Sequence, residues 1–174
     1  MAGDEGSISE CGILGDGLLM IFVTLGTQDK PFGRLLDLLE NSDIDDEIIV
    51  QAGYTDYHSD RMKILKYIGK DDFDRYIDEA DYVIAHAGVG TIIGALKKHK
   101  KILVVPRLAK YGEHHNDHQL QIASAYAQKG YILMMSDNDD INEKFAELKR
   151  FEPKDFVSNN EEFVKRLRNY ILER

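Results

Sequence analysis

Short apolar runs without a polar face set the rhythm of this chain. Met20-Ile21-Phe22-Val23-Thr24-Leu25, Glu47-Ile48-Ile49-Val50-Gln51-Ala52, Tyr82-Val83-Ile84-Ala85, Ile102-Leu103-Val104-Val105-Pro106 and Tyr131-Ile132-Leu133-Met134-Met135 are rich in β-formers. Such runs predict strands covered on both sides. Lys63-Ile64-Leu65-Lys66-Tyr67-Ile68 alternates only in part and predicts a further short strand. Between the runs the apolar spacing changes to that of helices. Pro31 suits the first turn of a helix carrying Phe32, Leu35, Leu36, Leu38 and Leu39. Asp71 to Ala80 turns Phe73, Tyr76 and Ile77 inward, and Ile92, Ile93, Ala95 and Leu96 lead to the cations Lys97, Lys98 and Lys100 at a helix's negative end. Further helices are predicted from about Asp117 to Lys129, stopped by Gly130, around Asn142 to Arg150, and around Asn160 to Leu172. Strands and helices alternating at this pitch predict an α/β fold with a mostly parallel, Rossmann-like sheet and helices on both faces.

In such a sheet functional loops gather at the carboxyl ends of the strands. Three polar turns stand there: Gly26-Thr27-Gln28, His86-Ala87-Gly88-Val89-Gly90-Thr91, and the tract from Arg107 to Gln119. The second joins a buried strand to a helix through two glycines. Free backbone N–H groups and the helix dipole then point at the turn, which makes it a candidate anion site. A glycine pair in this place also serves plain helix–strand packing, so the convergence of all three turns weighs more than either glycine. In the third tract Glu113, His114, His115, Asn116, Asp117, His118 and Gln119 are consecutive.

Composition narrows the chemistry. The 174 residues carry a formal charge of −9, with 43% hydrophobic and 30% charged residues. That predicts one globular domain and argues against nucleic acid as the main partner. The single cysteine, Cys11, excludes an intramolecular disulfide and suits a reducing compartment. Asp4 and Glu5 stand where a targeting segment would be basic, so residues 1–19 are expected to be a flexible extension and 20–174 the domain. His114 and His118 are four apart beside Asp117, but the spacing matches no metal signature and Asp117 suits a helix cap; no metal is expected. No nucleophile elbow is present, and Cys11 lies in the expected extension.

Met20-IFVTLGTQ, the turn HAGVGT and the tract PRLAKYGEHHNDHQLQIA, at these distances, resemble the donor-binding, carboxy-terminal half of family 28 glycosyltransferases. Within it they resemble the small stand-alone subunit of bacterial polysaccharide synthesis, which is similar to the catalytic subunit of the eukaryotic dolichol-linked N-acetylglucosaminyltransferase; the third tract leans to the bacterial side. The resemblance implies the C-terminal half of a GT-B enzyme: an inverting, UDP-sugar-dependent hexosyltransferase without metal or other cofactor. It implies a membrane-anchored partner subunit that binds a lipid-linked acceptor, and a place at the cytoplasmic face of the membrane. Carried onto this chain, Gly26, Thr27 and Gln28 would line the cleft, and His86, Ala87, Gly88, Val89, Gly90 and Thr91 would hold the diphosphate. Arg107, Asn116, Asp117, His118 and Gln119 would face the donor, with Glu113 and His114 as candidate bases. Gly94 stands where many relatives carry a ribose-binding glutamate. The apolar stripe Phe163, Leu167, Tyr170 and Ile171 predicts a final helix packed on its own sheet or docking on the partner. The rival expectation is a nucleotide-sugar-binding or interaction module without catalysis on the same fold.

Overall fold

A computed structural model describes residues 18–157. The helix predicted around Asn160 to Leu172, with its apolar stripe, lies outside the described residues. Six strands form one parallel sheet: β1 (Met20–Thr24), β2 (Glu47–Gln51), β3 (Met62–Leu65), β4 (Tyr82–Ala85), β5 (Lys101–Val104) and β6 (Leu133–Met134). Their spatial order is β3-β2-β1-β4-β5-β6. The chain therefore runs outward from β1 to one edge, crosses back to β4, and continues outward to the other. The reversal leaves a crevice between the carboxyl ends of β1 and β4, where ligands of open α/β sheets collect.

Among the described residues five α-helices accompany the sheet: α1 (Gly33–Glu40), α2 (Lys70–Glu79), α3 (Val89–Lys97), α4 (His118–Gln128) and α5 (Ile141–Arg150). They cover both faces because successive strand residues point to opposite sides. Ile21 and Val23 join Leu35, Leu36 and Leu39 of α1 and Ile141, Phe145 and Leu148 of α5 in one core cluster. Phe22, between them in β1, joins Tyr76 and Ile77 of α2, Ile92 and Leu96 of α3 and Ala123 of α4 in the other. Its ring stacks on Tyr76 at 5.4 Å and meets Phe73 edge-on at 5.5 Å. Burial of a side chain of this size stabilises the fold by about 2–3 kcal/mol through transfer from water alone.

Several boundaries depart from the sequence-based expectation. Pro31 precedes α1 rather than entering its first turn; the N-cap is Phe32, fully buried, whose N–H donates to Thr55 Oγ1 at 2.9 Å. A hydroxyl from the β2–β3 connection thus satisfies a donor that a local cap would otherwise take. Strand β3 ends at Leu65 and releases Tyr67 and Ile68 into a loop, and β6 shrinks to Leu133–Met134 at the sheet edge. The tract read as a polar loop contains a 3₁₀ turn at Ala109–Tyr111. No helix of the described residues is long and apolar enough to cross a membrane.

Candidate functional site

Parallel pairing of β1 with β4 and of β4 with β5 brings the three polar turns together at one rim. The turn after β1 is shaped by a buried pair: Thr24 Oγ1 donates to Gln51 Oε1 at 2.8 Å, and Gln51 Nε2 donates to the Gly26 carbonyl at 3.2 Å. Gly26 adopts φ +78°, and a Cβ there would lie 2.6 Å from His86 Cε1. Both the backbone and the neighbouring ring therefore require glycine.

His86 follows β4 and lies between two glycines. Its Nδ1 is 3.3 Å from the Thr24 carbonyl, while a Cβ on Gly88 would come within 2.4 Å of its Nε2. Gly88 has φ −77°, an ordinary value. This glycine is needed to make room for the ring and not for positive φ. Burial pushes the His86 pKa down to about 4; the Arg107 and His114 charges act in the same direction, and the hydrogen bond with Thr24 opposes them. The ring is neutral at pH 7.

That state has a consequence for stability. Between pH 6.5 and 4 the unfolded chain takes up a proton on this residue that the native ring refuses, so its contribution is complete above the ordinary pKa of 6.5 and is lost as pH falls toward 4. By pH 5 the loss amounts to about 2 kcal/mol. Urea unfolding at pH 7 and pH 5 should show His86→Gln losing less stability than the parent by about that amount. Equal losses would contradict a buried neutral ring.

Beyond His86 the chain enters α3, whose N-cap is Gly88; no side chain caps this terminus and its first turn holds no acidic residue. The first intrahelical bond among these residues is Ile92 N–H to the Gly88 carbonyl at 3.0 Å, leaving the N–H groups of Val89, Gly90 and Thr91 for an external acceptor. Gly90 meets no atom within 4 Å in the direction of a Cβ. By contrast, Asp140 accepts from Asn142 N and Glu143 N at the start of α5, so that terminus is already satisfied.

These parts line a pocket of about 390 Å³ made by Thr24, Gly26, Thr27, Gln51, Tyr67, Ile68, Lys70, Phe73, His86, Gly88, Gly90 and Thr91. One wall is backbone N–H and hydroxyl, suited to an anion; the other is aromatic and aliphatic, suited to a flat ring. Tyr67 presents an exposed face supported edge-on by Tyr54 at 5.6 Å. Gln51, Tyr67, Ile68, Lys70 and Phe73 were not among the residues expected from sequence. The same rule that marked the other turns, a polar or aromatic loop at a strand's carboxyl end, applied to β3 would have found Tyr67 and Ile68. A larger cleft of about 730 Å³ lies between α1 and the start of α5. Its arginine, Arg34, is bound to Glu113 and its helix terminus is capped by Asp140, so it offers an anion little.

Residues of the third tract make contacts within the fold that the sequence did not show. Arg107, expected at the donor, is only 1% exposed and donates to the carbonyls of Leu25 and Lys30, each at 2.7 Å, and of Glu113 at 3.2 Å. It therefore ties the loop after β1 to the loop after β5 from beneath. Burial pushes its pKa down to about 10 against the pull of Glu113, and its guanidinium lies 4.9 Å over the Phe32 ring. Gln119, also expected to touch the donor, is 7% exposed; its Oε1 accepts from Ala87 N–H at 3.3 Å and Arg107 N–H at 3.1 Å. It braces the second and third turns against each other.

Glu113, a candidate base, has both carboxylate oxygens at 2.9 Å from the Arg34 fork and accepts from Leu108 N–H at 3.0 Å. A buried carboxylate held by an arginine fork and a peptide N–H has both oxygens engaged within the fold. His114 Nδ1 faces the Asn116 carbonyl at 2.9 Å and the Asn116 N–H at 3.3 Å, and the residue does not line the pocket. Asn116, Asp117 and His118 are exposed at the start of α4; Asp117 is the N-cap position, and its Oδ1 accepts from Ala109 N–H at 3.0 Å. Thr27 is exposed and lines the pocket, whereas Gln28, half-buried, does not. Ala87 is buried, Val89 is exposed at the rim, and a side chain at Gly94 would meet nothing within 4 Å. No group of three or more metal-binding side chains occurs among the described residues.

Comparison with known proteins gives this geometry its context. The chain is similar to the UDP-N-acetylglucosamine transferase subunit ALG13 of Candida glabrata, 34% identical over 100 residues that make up 55% of this chain and 46% of the relative. To the subunit of the same name from Cryptococcus neoformans it is 32% identical over 101 residues, 52% of this chain and 48% of the relative. The match thus spans about half the length of these curated relatives. The NMR solution structure of ALG13 superposes with a TM-score of 0.54 at 20% identity, covering 85% of this chain and 94% of that one. The crystal structure of Acinetobacter baumannii MurG superposes with a TM-score of 0.53 at 20% identity, covering 78% and 42%. At such identities these structures speak for the fold: six parallel strands with helices, as in the C-terminal, Rossmann-like half of GT-B enzymes. The model of the glycosyltransferase family 28 C-terminal domain matches residues 20–171, and on that extent of agreement the chain belongs to this family.

Proposed function

We propose that this chain is the donor-binding subunit of a two-component inverting glycosyltransferase, which moves a sugar from a UDP-sugar to a lipid-linked acceptor held by a membrane-anchored partner. The observation that carries the reading is the pocket at the β1/β4 crevice, with an uncapped helix terminus on one side and Tyr67, Ile68 and Phe73 on the other. The diphosphate would lie on the N–H groups of Val89, Gly90 and Thr91, and the base against the aromatic wall. The names of the fungal relatives favour UDP-N-acetylglucosamine as the donor and a subunit's role for this chain.

The chemistry follows from where charge develops. As the bond from the sugar to the diphosphate breaks, negative charge accumulates on the leaving UDP and the sugar becomes oxocarbenium-like. Fixed N–H donors aimed at the diphosphate stabilise that charge more than the ground state. Thr27, which lines the pocket, and the α4 start, with Asn116, Asp117 and His118, would border the sugar. No free carboxylate lines the pocket among the described residues, so the acceptor's proton would pass to a group on the partner. A membrane-anchored partner would bring the chain to the cytoplasmic face of the membrane.

The missing carboxylate equally suits a binding-only module, and one experiment separates the readings. The purified chain alone should bind a UDP-sugar yet transfer it poorly, and adding the acceptor-binding subunit should raise transfer by orders of magnitude. Efficient transfer by the chain alone would refute the two-component reading. Binding with no transfer in the reconstituted pair would favour the module.

A further inference from the structure

The His86 ring lines the pocket with one nitrogen engaged and the other without a hydrogen bond among the described residues. A carbonyl oxygen only accepts, so the contact between Nδ1 and the Thr24 carbonyl at 3.3 Å puts the ring hydrogen on Nδ1. Nε2 then carries a lone pair. It makes no hydrogen bond among the described residues, and Arg107 Nε is the sole polar side-chain atom there that is both closed off from solvent and unpartnered, so Nε2 opens on the pocket. It does so through the gap between Gly26 and Gly88, neither of which has room for a side chain because the ring occupies it.

A diphosphate seated on the start of α3 would bring anionic oxygens toward that lone pair. Two acceptors facing each other repel, and the empty pocket offers the ring nothing to offset a charge. The other charged and titratable groups around it are Arg107 and His114 from the loop after β5, and Lys70 and Tyr67 from the loop and helix across the pocket. Arg107 and His114 disfavour protonation of the ring, while the Lys70 ammonium across the pocket is paired with the Asp74 carboxylate. From β1, β2 and α3 come only the Thr24 carbonyl, Gln51 and Thr91, which are uncharged. The arriving anion reverses the balance.

We propose that His86 takes up a proton from solvent as the diphosphate of a nucleotide sugar enters, so that its imidazole is a cation only in the loaded site. The proposal rests on the donor-site reading above. Its size is consistent with simple electrostatics: one full charge about 4 Å away in a partly screened site raises proton affinity on the order of a thousandfold. That is enough to carry a ring held at about 4 when empty into the neutral range when loaded. The bound donor would thereby gain a positive partner that never has to be desolvated as a cation in the empty site, and release of UDP would return the proton to solvent.

The test is calorimetry of UDP-N-acetylglucosamine binding to the full chain at pH 6, in buffers of different ionisation enthalpy. This ligand is a diphosphate diester and has no titrating phosphate near neutrality, so any proton uptake belongs to the protein. The expected result is close to one proton taken up per ligand, with affinity about tenfold weaker at pH 8 than at pH 6. His86→Gln should bind with neither proton uptake nor that pH dependence. Nitrogen-15 NMR of the parent provides an independent reading: Nε2 unprotonated in the free protein at pH 6 and protonated after ligand is added. Binding without proton uptake, uptake that persists in His86→Gln, or an Nε2 signal unchanged by ligand would each overturn the proposal while leaving the donor site standing. Absence of binding at every pH would overturn the donor-site reading, and the proposal with it.

Discussion

Gly90→Val is expected to fold as the parent does and to bind UDP-sugar roughly a hundredfold more weakly, a loss of about 3 kcal/mol. The first half of that expectation follows from the open space beside Gly90, where an added Cβ meets no protein atom. Valine in the first turn of α3 is then slightly better than glycine in helix propensity, by a few tenths of a kcal/mol. The second half follows because Gly90 itself lines the pocket, next in the chain to Val89 and Thr91, whose N–H groups a diphosphate would use. Gly88→Val is the instructive contrast, since its Cβ would stand 2.4 Å from His86 Nε2 and must displace the ring. It should damage stability and binding together. A Gly90→Val protein that binds like the parent would remove the diphosphate from this helix.

The largest effect on stability is expected from Arg107→Met, which keeps much of the side chain's volume and deletes its donors. The carbonyls of Leu25, Lys30 and Glu113 would lose their partner in places water reaches poorly. Each orphaned acceptor costs about 1–3 kcal/mol. Relief of a buried charge offsets part of this, because Nε already lacks a partner and burial disfavours the cation. A net loss of about 3 kcal/mol or more in urea unfolding is expected, a large fraction of the stability of a domain this size. A loss below about 1 kcal/mol would show that Arg107 does not hold the two loops. Arg107→Lys should recover little, since a single ammonium cannot reach three carbonyls set around a planar fork.

What the sequence made legible and what it hid divide along the range of the interactions. The runs at Met20, Glu47, Tyr82 and Ile102 read as buried strands because parallel pairing with helices on both faces leaves them no polar side, and each is found in the sheet. The uncapped start of α3 was legible too, since strand, glycine turn and helix start are contiguous in the chain. The supporting residues were not. Arg107 reaches a carbonyl 82 residues away, and Arg34 grips Glu113 across 79. A tract dense in polar side chains looked like ligand chemistry, and in Arg107, Glu113 and Gln119 much of that density serves to fasten the loops. Tyr67 and Ile68 were hidden for a local reason: partial alternation extended β3 by three residues and absorbed into a strand the two side chains that face the pocket.

Backbone amide NMR during titration with UDP-N-acetylglucosamine shows directly whether a nucleotide diphosphate lies in the crevice between β1 and β4. The largest shifts are expected at Gly26, Thr27 and Ile68 and at the amides of Val89, Gly90 and Thr91, with the wider cleft between α1 and α5 undisturbed. Shifts gathered instead at Arg34, Asp37, Leu38 and Asn142, with the amides at the start of α3 unmoved, would contradict it.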